Sequence, residues 1–173
     1  MSPNLQTAIF GGGCFWCTEA IFASLRGVES AVSGYAGGEM DKPNYDQVSS
    51  GRTGHAEVIK IEFDPTEISY ETLLEVFFAT HDPTTMNRQG HDVGTQYRSI
   101  ILYTTPEQKN AAENFMSKDE RPIVTQIQAL DRFYPAEEYH QKYFVNNSDK
   151  PYCQLIINPK LTRLRAKYSK LLK

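Results

Sequence analysis

The order in which apolar residues repeat along the chain restricts its fold more than any other feature of the sequence. Residues 7–10 form a short apolar run stopped by Gly11, Gly12 and Gly13, which predicts a buried strand followed by a turn. The spacing of Phe15, Ala20, Ile21, Phe22 and Leu25 then predicts a helix closed by Gly27. Strand patterns follow over 28–35 and 55–63. A helix capped by Ser69 carries Leu73, Leu74, Val76, Phe77 and Phe78 on its apolar face, and residues 97–103 read as a fourth strand. The resulting order, β-α-β-β-α-β, is that of a ferredoxin-like split βαβ unit: an α+β, two-layer sandwich with helices on one face of a largely antiparallel sheet. A helix over 106–118, a strand over 123–130, a helix over 135–144 and a basic terminal helix are expected beyond it. With 173 residues, no repeat and no linker, one domain spanning 1–173 is expected.

Two connections in this plan, 36–54 and 81–96, are long for a compact domain, and such connections tend to hold binding and catalytic groups. Charge narrows the partners. The net charge is −3, yet residues 160–173 carry six basic residues and no acidic one. That end lacks interleaved aromatics apart from Tyr168, so a solvated helix face is expected and nucleic-acid binding is not. Residues 1–13 show no basic, apolar leader, and nowhere do about 18 apolar residues run together, so neither secretion nor a membrane span is expected. The expected compartment is the cytoplasm. In that reducing setting three cysteines, an odd number, point to reactive or metal-binding thiols rather than to a disulfide framework.

Cys14 falls where the first strand turns into the first helix. A sulfur at a helix N-terminus faces unpaired N–H groups that favour its thiolate, the form that attacks, and the glycines before it allow close approach to backbone. Cys14-Phe15-Trp16-Cys17 is a C-x-x-C, a spacing compatible with a reversible disulfide, although two large aromatics between the thiols point to an apolar pocket. Glu57 shares strand parity with Ile59, Ile61 and Phe63, whereas Lys60 and Glu62 have the other parity. A carboxyl group in the apolar register is expected to hold its proton to high pH and to act as a general acid; an ion pair at a frayed strand start is the alternative.

These residues sit in longer stretches. GGCFWC at 12–17, PNY at 43–45, GHAE at 54–57, HDP at 81–83, GTQYRS at 94–99, YHQKY at 139–143 and PYC at 151–153 together resemble peptide methionine sulfoxide reductase A. The resemblance implies reduction of the S epimer of methionine sulfoxide, free or protein-bound, with Cys14 as nucleophile and Glu57 as acid. It further implies Phe15 and Trp16 as the walls for the substrate methyl group, and Tyr45, Asp92 and Tyr97 as polar pocket residues. Cys14 would pass through a sulfenic acid to an intramolecular disulfide that thioredoxin reduces, without metal or organic cofactor. Cys153 aligns with the family's usual resolving cysteine, in a segment expected to be mobile, while Cys17 stands where many members have Gly. The expected order is Cys153 first with Cys17 as relay; direct resolution by Cys17 is the alternative. A monomer is expected. A zinc-binding or redox-sensing module built on the three cysteines is the competing class.

Overall fold

The computed structural model describes residues 4–173. The chain begins with β1 (Gln6–Gly12), α1 (Phe15–Ala23) and β2 (Val28–Ala36), followed by a short α2 (Tyr45–Ser49). Next come β3 (Ala56–Phe63), α3 (Tyr70–Thr80) and a two-residue hairpin, β4 (Arg88–Gln89) with β5 (Asp92–Val93). Then follow β6 (Ser99–Tyr103), α4 (Pro106–Ser117), β7 (Gln126–Ala129), β8 (Phe133–Pro135), α5 (Tyr143–Asn146) and α6 (Asn158–Tyr168). The glycines expected to stop β1 instead continue it, since Gly11 and Gly12 pair with Ile100 and Ser99. The turn is made by Gly13, at a φ of +96°.

The main sheet has the strand order β7-β6-β1-β3-β2-β8. It is mixed, where the sequence pattern predicts a largely antiparallel one: β7 runs parallel to β6, and the other four pairings are antiparallel. The α+β class stands, and the parallel pair has a simple cause. Between β6 and β7 the chain runs through α4, and a helical crossover returns it to the same end of the sheet.

β3 occupies a central position and is buried on both faces. Ile59, Ile61 and Phe63 join Phe10, Phe22, Leu73, Leu74 and Phe77 in the main core, while Ala56 and Val58 face a smaller cluster with Ile9, Ile100 and Leu102. Phe10 is the hub of the aromatic packing, stacked on Phe77 at 4.8 Å and tilted against Phe22 at 5.6 Å. The expected helix over 135–144 is replaced by a 3₁₀ turn (Glu138–His140), an extended Gln141 and the single-turn α5. Gln141 is the reason. Its side chain bonds the amide and carbonyl of Ser33 at 3.0 and 2.9 Å, adding a strand-like contact to β2 that a helix would forfeit. No helix among the described residues is long and apolar enough to cross a membrane.

Candidate active site

The site is assembled where β1 ends and β3 begins. A Cβ on Gly11 would lie 2.8 Å from Ile100 Cγ2 and 2.9 Å from the Glu57 carbonyl oxygen, so only glycine lets β1 lie this close to its neighbours. Gly13 then turns the chain, and Cys14 becomes the N-cap residue of α1. Its carbonyl accepts from the amides of Cys17 at 3.1 Å and Thr18 at 3.4 Å.

The N-terminal position was expected to favour the thiolate, and the structure corrects this. Burial pushes the Cys14 thiol well above its ordinary value, and the charges of Glu57 and Cys17 raise it further. The Tyr152 hydroxyl and the Trp16 amide pull the other way, the amide being the expected helix-terminus effect, but they are the smaller influences. Resting Cys14 is therefore a thiol.

Glu57 lies where strand parity places it, on the helix-covered face of β3. It is only 2 % exposed, and its Oε1 accepts from the Phe15 amide at 3.1 Å, so its partner is backbone rather than a Lys or Arg. Burial raises its pKa to about 8; the Asp92 charge adds to this and the Phe15 amide opposes it. The carboxyl group is thus protonated at neutral pH, one residue away from the nucleophile.

Tyr45 opens α2, held by its own amide's bond to Glu137 Oε2 at 3.0 Å. Tyr97 closes a 3₁₀ turn (Thr95–Tyr97) just before β6, and Asp92 begins β5. Burial raises both phenols, and each also feels the charges of Glu57 and Cys14, which ties all four groups to one locus. Both phenols therefore remain donors at neutral pH. Asp92 is raised by burial and countered by Lys160 and His91. The two long connections bring polar groups to the neighbourhood of Cys14 and Glu57.

The aromatic wall is built from both halves of the chain. Phe15 is buried against Tyr35 and His140, with ring centres at 5.7 and 5.0 Å. Trp16 is half-buried, donates from Nε1 to His140 Nδ1 at 3.0 Å, and stacks on Tyr143 at 3.6 Å with 4° between planes. Tyr152 meets the indole edge-on at 5.6 Å. His140, Tyr143, Tyr152 and Glu137 were not assigned roles from the sequence. His140, Tyr143 and Tyr152 lie inside the stretches YHQKY and PYC, but a continuous helix over 135–144 hides how they converge. Lys160, read as part of a solvated basic face, reaches the site as well.

The remaining thiols are enclosed. Cys17 is 2 % exposed with its Sγ 3.6 Å from the Tyr152 hydroxyl. Cys153, expected in a mobile segment, instead opens a π-helical turn (Cys153–Ile157) that runs into α6 and is fully buried. All three cysteines are free thiols. Among the described residues no three His, Cys, Asp or Glu side chains converge to hold a metal ion.

The Cys14 thiol, a protonated carboxyl group and two phenol donors beside an aromatic wall form a site suited to a small, partly apolar group that carries a hydrogen-bond acceptor. Comparison with known proteins agrees. The family model of peptide methionine sulfoxide reductases matches residues 6–172. A peptide methionine sulfoxide reductase MsrA of Chromobacterium violaceum is 53% identical over 174 residues, which cover 97% of this chain and 99% of that one. The reduced form of Mxr1 from Saccharomyces cerevisiae superposes with a TM-score of 0.76 at 34% identity, covering 86% of this chain and 89% of that one. Mxr1 in complex with Trx2 matches with a TM-score of 0.53 at 25% identity, covering 83% and 89%. The chain belongs to the peptide methionine sulfoxide reductase family.

Proposed function

We propose that the chain reduces the S epimer of methionine sulfoxide, free or within oxidised proteins, through Cys14 and Glu57. The observation that carries this reading is the Glu57 carboxyl, protonated at neutral pH and fixed 3.1 Å from the amide next to Cys14. Phe15 and Trp16 take the methyl group, while Tyr45, Tyr97 and Asp92 orient the polar end. The Glu57 proton passes to the sulfoxide oxygen, which makes the sulfur electrophilic. Cys14 attacks the sulfur as its own proton returns to the Glu57 carboxylate. The hydroxyl then passes from the substrate sulfur to the Cys14 sulfur: an S–O bond forms on Cys14, the S–S bond and the substrate S–O bond break, and methionine departs to leave a sulfenic acid, with the thiol proton restoring Glu57. A resting thiol is compatible with this, because the proton it gives up is the one Glu57 needs back.

Cys17 and Cys153 convert the sulfenic acid into a disulfide and water, and thioredoxin restores the thiols by exchange. The Trx2 complex of Mxr1 supports the choice of reductant. No metal or organic cofactor enters the scheme. We further read residues 1–173 as one catalytic domain, monomeric and cytoplasmic, with three free thiols in keeping with a reducing compartment. Its centre, strands β6-β1-β3-β2 with α1 and α3, is the split βαβ arrangement of the ferredoxin-like type, extended by β7, β8 and the C-terminal helices. The test is anaerobic incubation with each separated sulfoxide epimer, counting methionine formed per chain. At least one methionine per chain from the S epimer, and none with Cys14→Ser, is expected; turnover by Cys14→Ser overturns the reading.

A further inference from the structure

The three thiols are arranged in an order that differs from the sequence expectation. Cys17 follows Cys14 by three residues within the first turn of α1, with the Cys17 amide bonded to the Cys14 carbonyl at 3.1 Å. Helical Cα atoms three residues apart lie roughly 5 Å from each other, inside the Cα range a disulfide can bridge, and a small rotation at the helix start brings the Cβ atoms together. Cys153 sits deeper. It packs in the main core with Cys17, Phe22 and Phe77, a cluster to which Cys14 does not belong. The hydroxyl of its neighbour Tyr152 stands against Cys17 at 3.6 Å and also bonds the Cys14 thiol.

Cys17 has a further partner. Lys160 of α6 lines a small cavity of about 10 Å³ together with Cys17, Gly12, Thr18, Thr80 and His81. Burial pushes the Cys17 thiol up, and the Lys160 ammonium group, which bonds it, opposes that push without overcoming it. For Cys153, burial and the charges of Cys17 and Asp149 all act upward. A cation beside a buried sulfur is the usual means of producing a thiolate in the absence of solvent.

Resting on the reading of Cys14 as the nucleophile, we infer that Cys17 resolves its sulfenic acid first, with Lys160 as positioning residue, and that Cys153 then withdraws the disulfide into the core. In the first step Cys17 attacks the Cys14 sulfur as it gives up its thiol proton; an S–S bond forms, the S–O bond breaks, and the leaving hydroxide takes up that proton to become water. In the second, the Cys153 thiolate attacks the Cys17 sulfur and Cys14 leaves as a thiolate, which takes up the proton released by Cys153. The result is a Cys17–Cys153 disulfide with Cys14 already restored. Both sulfurs of that bond belong to buried residues, so thioredoxin reaches them only when the segment around Tyr152 and Cys153 moves.

The test is a single turnover with stoichiometric methionine sulfoxide and no thioredoxin, quenched with an alkylating agent over time and mapped by peptide mass. A Cys14–Cys17 bond that rises first and decays into Cys17–Cys153 is expected. Cys153→Ser should stop at Cys14–Cys17 with no sulfenic acid to trap with dimedone, and Cys17→Ser should accumulate the trappable acid. A Cys14–Cys153 bond formed first, or sulfenic acid accumulating in Cys153→Ser, overturns the inference. Absence of any methionine in the wild-type turnover instead overturns the proposed function. Lys160→Met should move the pH midpoint of first disulfide formation upward and slow that step about tenfold at neutral pH, the effect of about one pKa unit on thiolate fraction, with Lys160→Arg restoring it. An unmoved pH midpoint in Lys160→Met removes Lys160 from the scheme.

Discussion

At the scale of the residue, a carboxyl group in a dry pocket keeps its proton to a pH at which an exposed one has long since lost it. Glu57 titrates near 8 rather than at its ordinary 4.5, which has two consequences. Its acid function is available below about 8, so the single-turnover rate of methionine formation should decline as pH rises through that value, measured by rapid quench across pH 6 to 10. Glu57→Gln should lower the rate by about 10²-fold or more, the usual worth of a positioned general acid, while its circular dichroism stays that of the wild type. A wild-type rate in Glu57→Gln removes the acid assignment. The second consequence is for stability. Between 4.5 and about 8 the native state holds a proton on Glu57 that the unfolded chain has released, so stability falls with rising pH across that window, and the cost is complete above it. Denaturant titrations at pH 5 and pH 9 should therefore show a larger loss in the wild type than in Glu57→Gln, by a few kcal/mol. Equal losses would mean that the carboxyl is not held dry. Glu19, raised to about 7, adds a loss of the same sign that both proteins share.

At the scale of the element, the contact of β1 with β3 depends on Gly11. Gly11→Ala places a methyl group against the Glu57 carbonyl and Ile100, and overpacking of this kind costs about 1–3 kcal/mol. The larger effect is expected on activity, because the backbone that must yield is the one carrying Glu57; the comparison of denaturation midpoint with single-turnover rate measures both. Long, periodic elements were legible in the sequence. Period-two alternation placed Glu57 on the helix-covered face of β3, and Ser69 caps α3 as expected, accepting from the Thr72 amide. The short elements were not legible. α2 is five residues held by a reciprocal bond pair between Asn44 and Gln47, and the β4–β5 hairpin has two residues per strand, too few for any period to emerge. The segment over 135–144 misled for a different reason: its composition suits a helix, but Gln141 trades that helix for β2, a tertiary bond no local pattern encodes. Among the candidate site residues, Cys14 and Glu57 were singled out from their places in the pattern, Tyr45, Asp92, Tyr97 and Cys153 from the resemblance, and His140, Tyr143, Tyr152 and Lys160 needed the coordinates.

At the scale of the whole molecule, the layers meet at Phe10, whose ring joins α1 and α3 to the centre of the sheet. Phe10→Ala should cost about 3–5 kcal/mol as transfer and cavity terms add, which for a chain of this length lowers the melting temperature by roughly 10 °C. A thermal shift of only a degree or two would mean that the core collapses around the void. Residues 143–173 wrap back over α1 and bring Tyr143, Tyr152, Cys153 and Lys160 toward Cys14, which lies near the N-terminus. The thiols thus sit between the first helix and the last.

Trp16 is the chain's single tryptophan, and one of its faces lies on Tyr143, from the same segment that holds Cys153. Any displacement that exposes the buried sulfurs to a reductant peels that phenol from the indole. Light emitted at one position therefore follows the opening and closing of the molecule during each cycle, with no label attached.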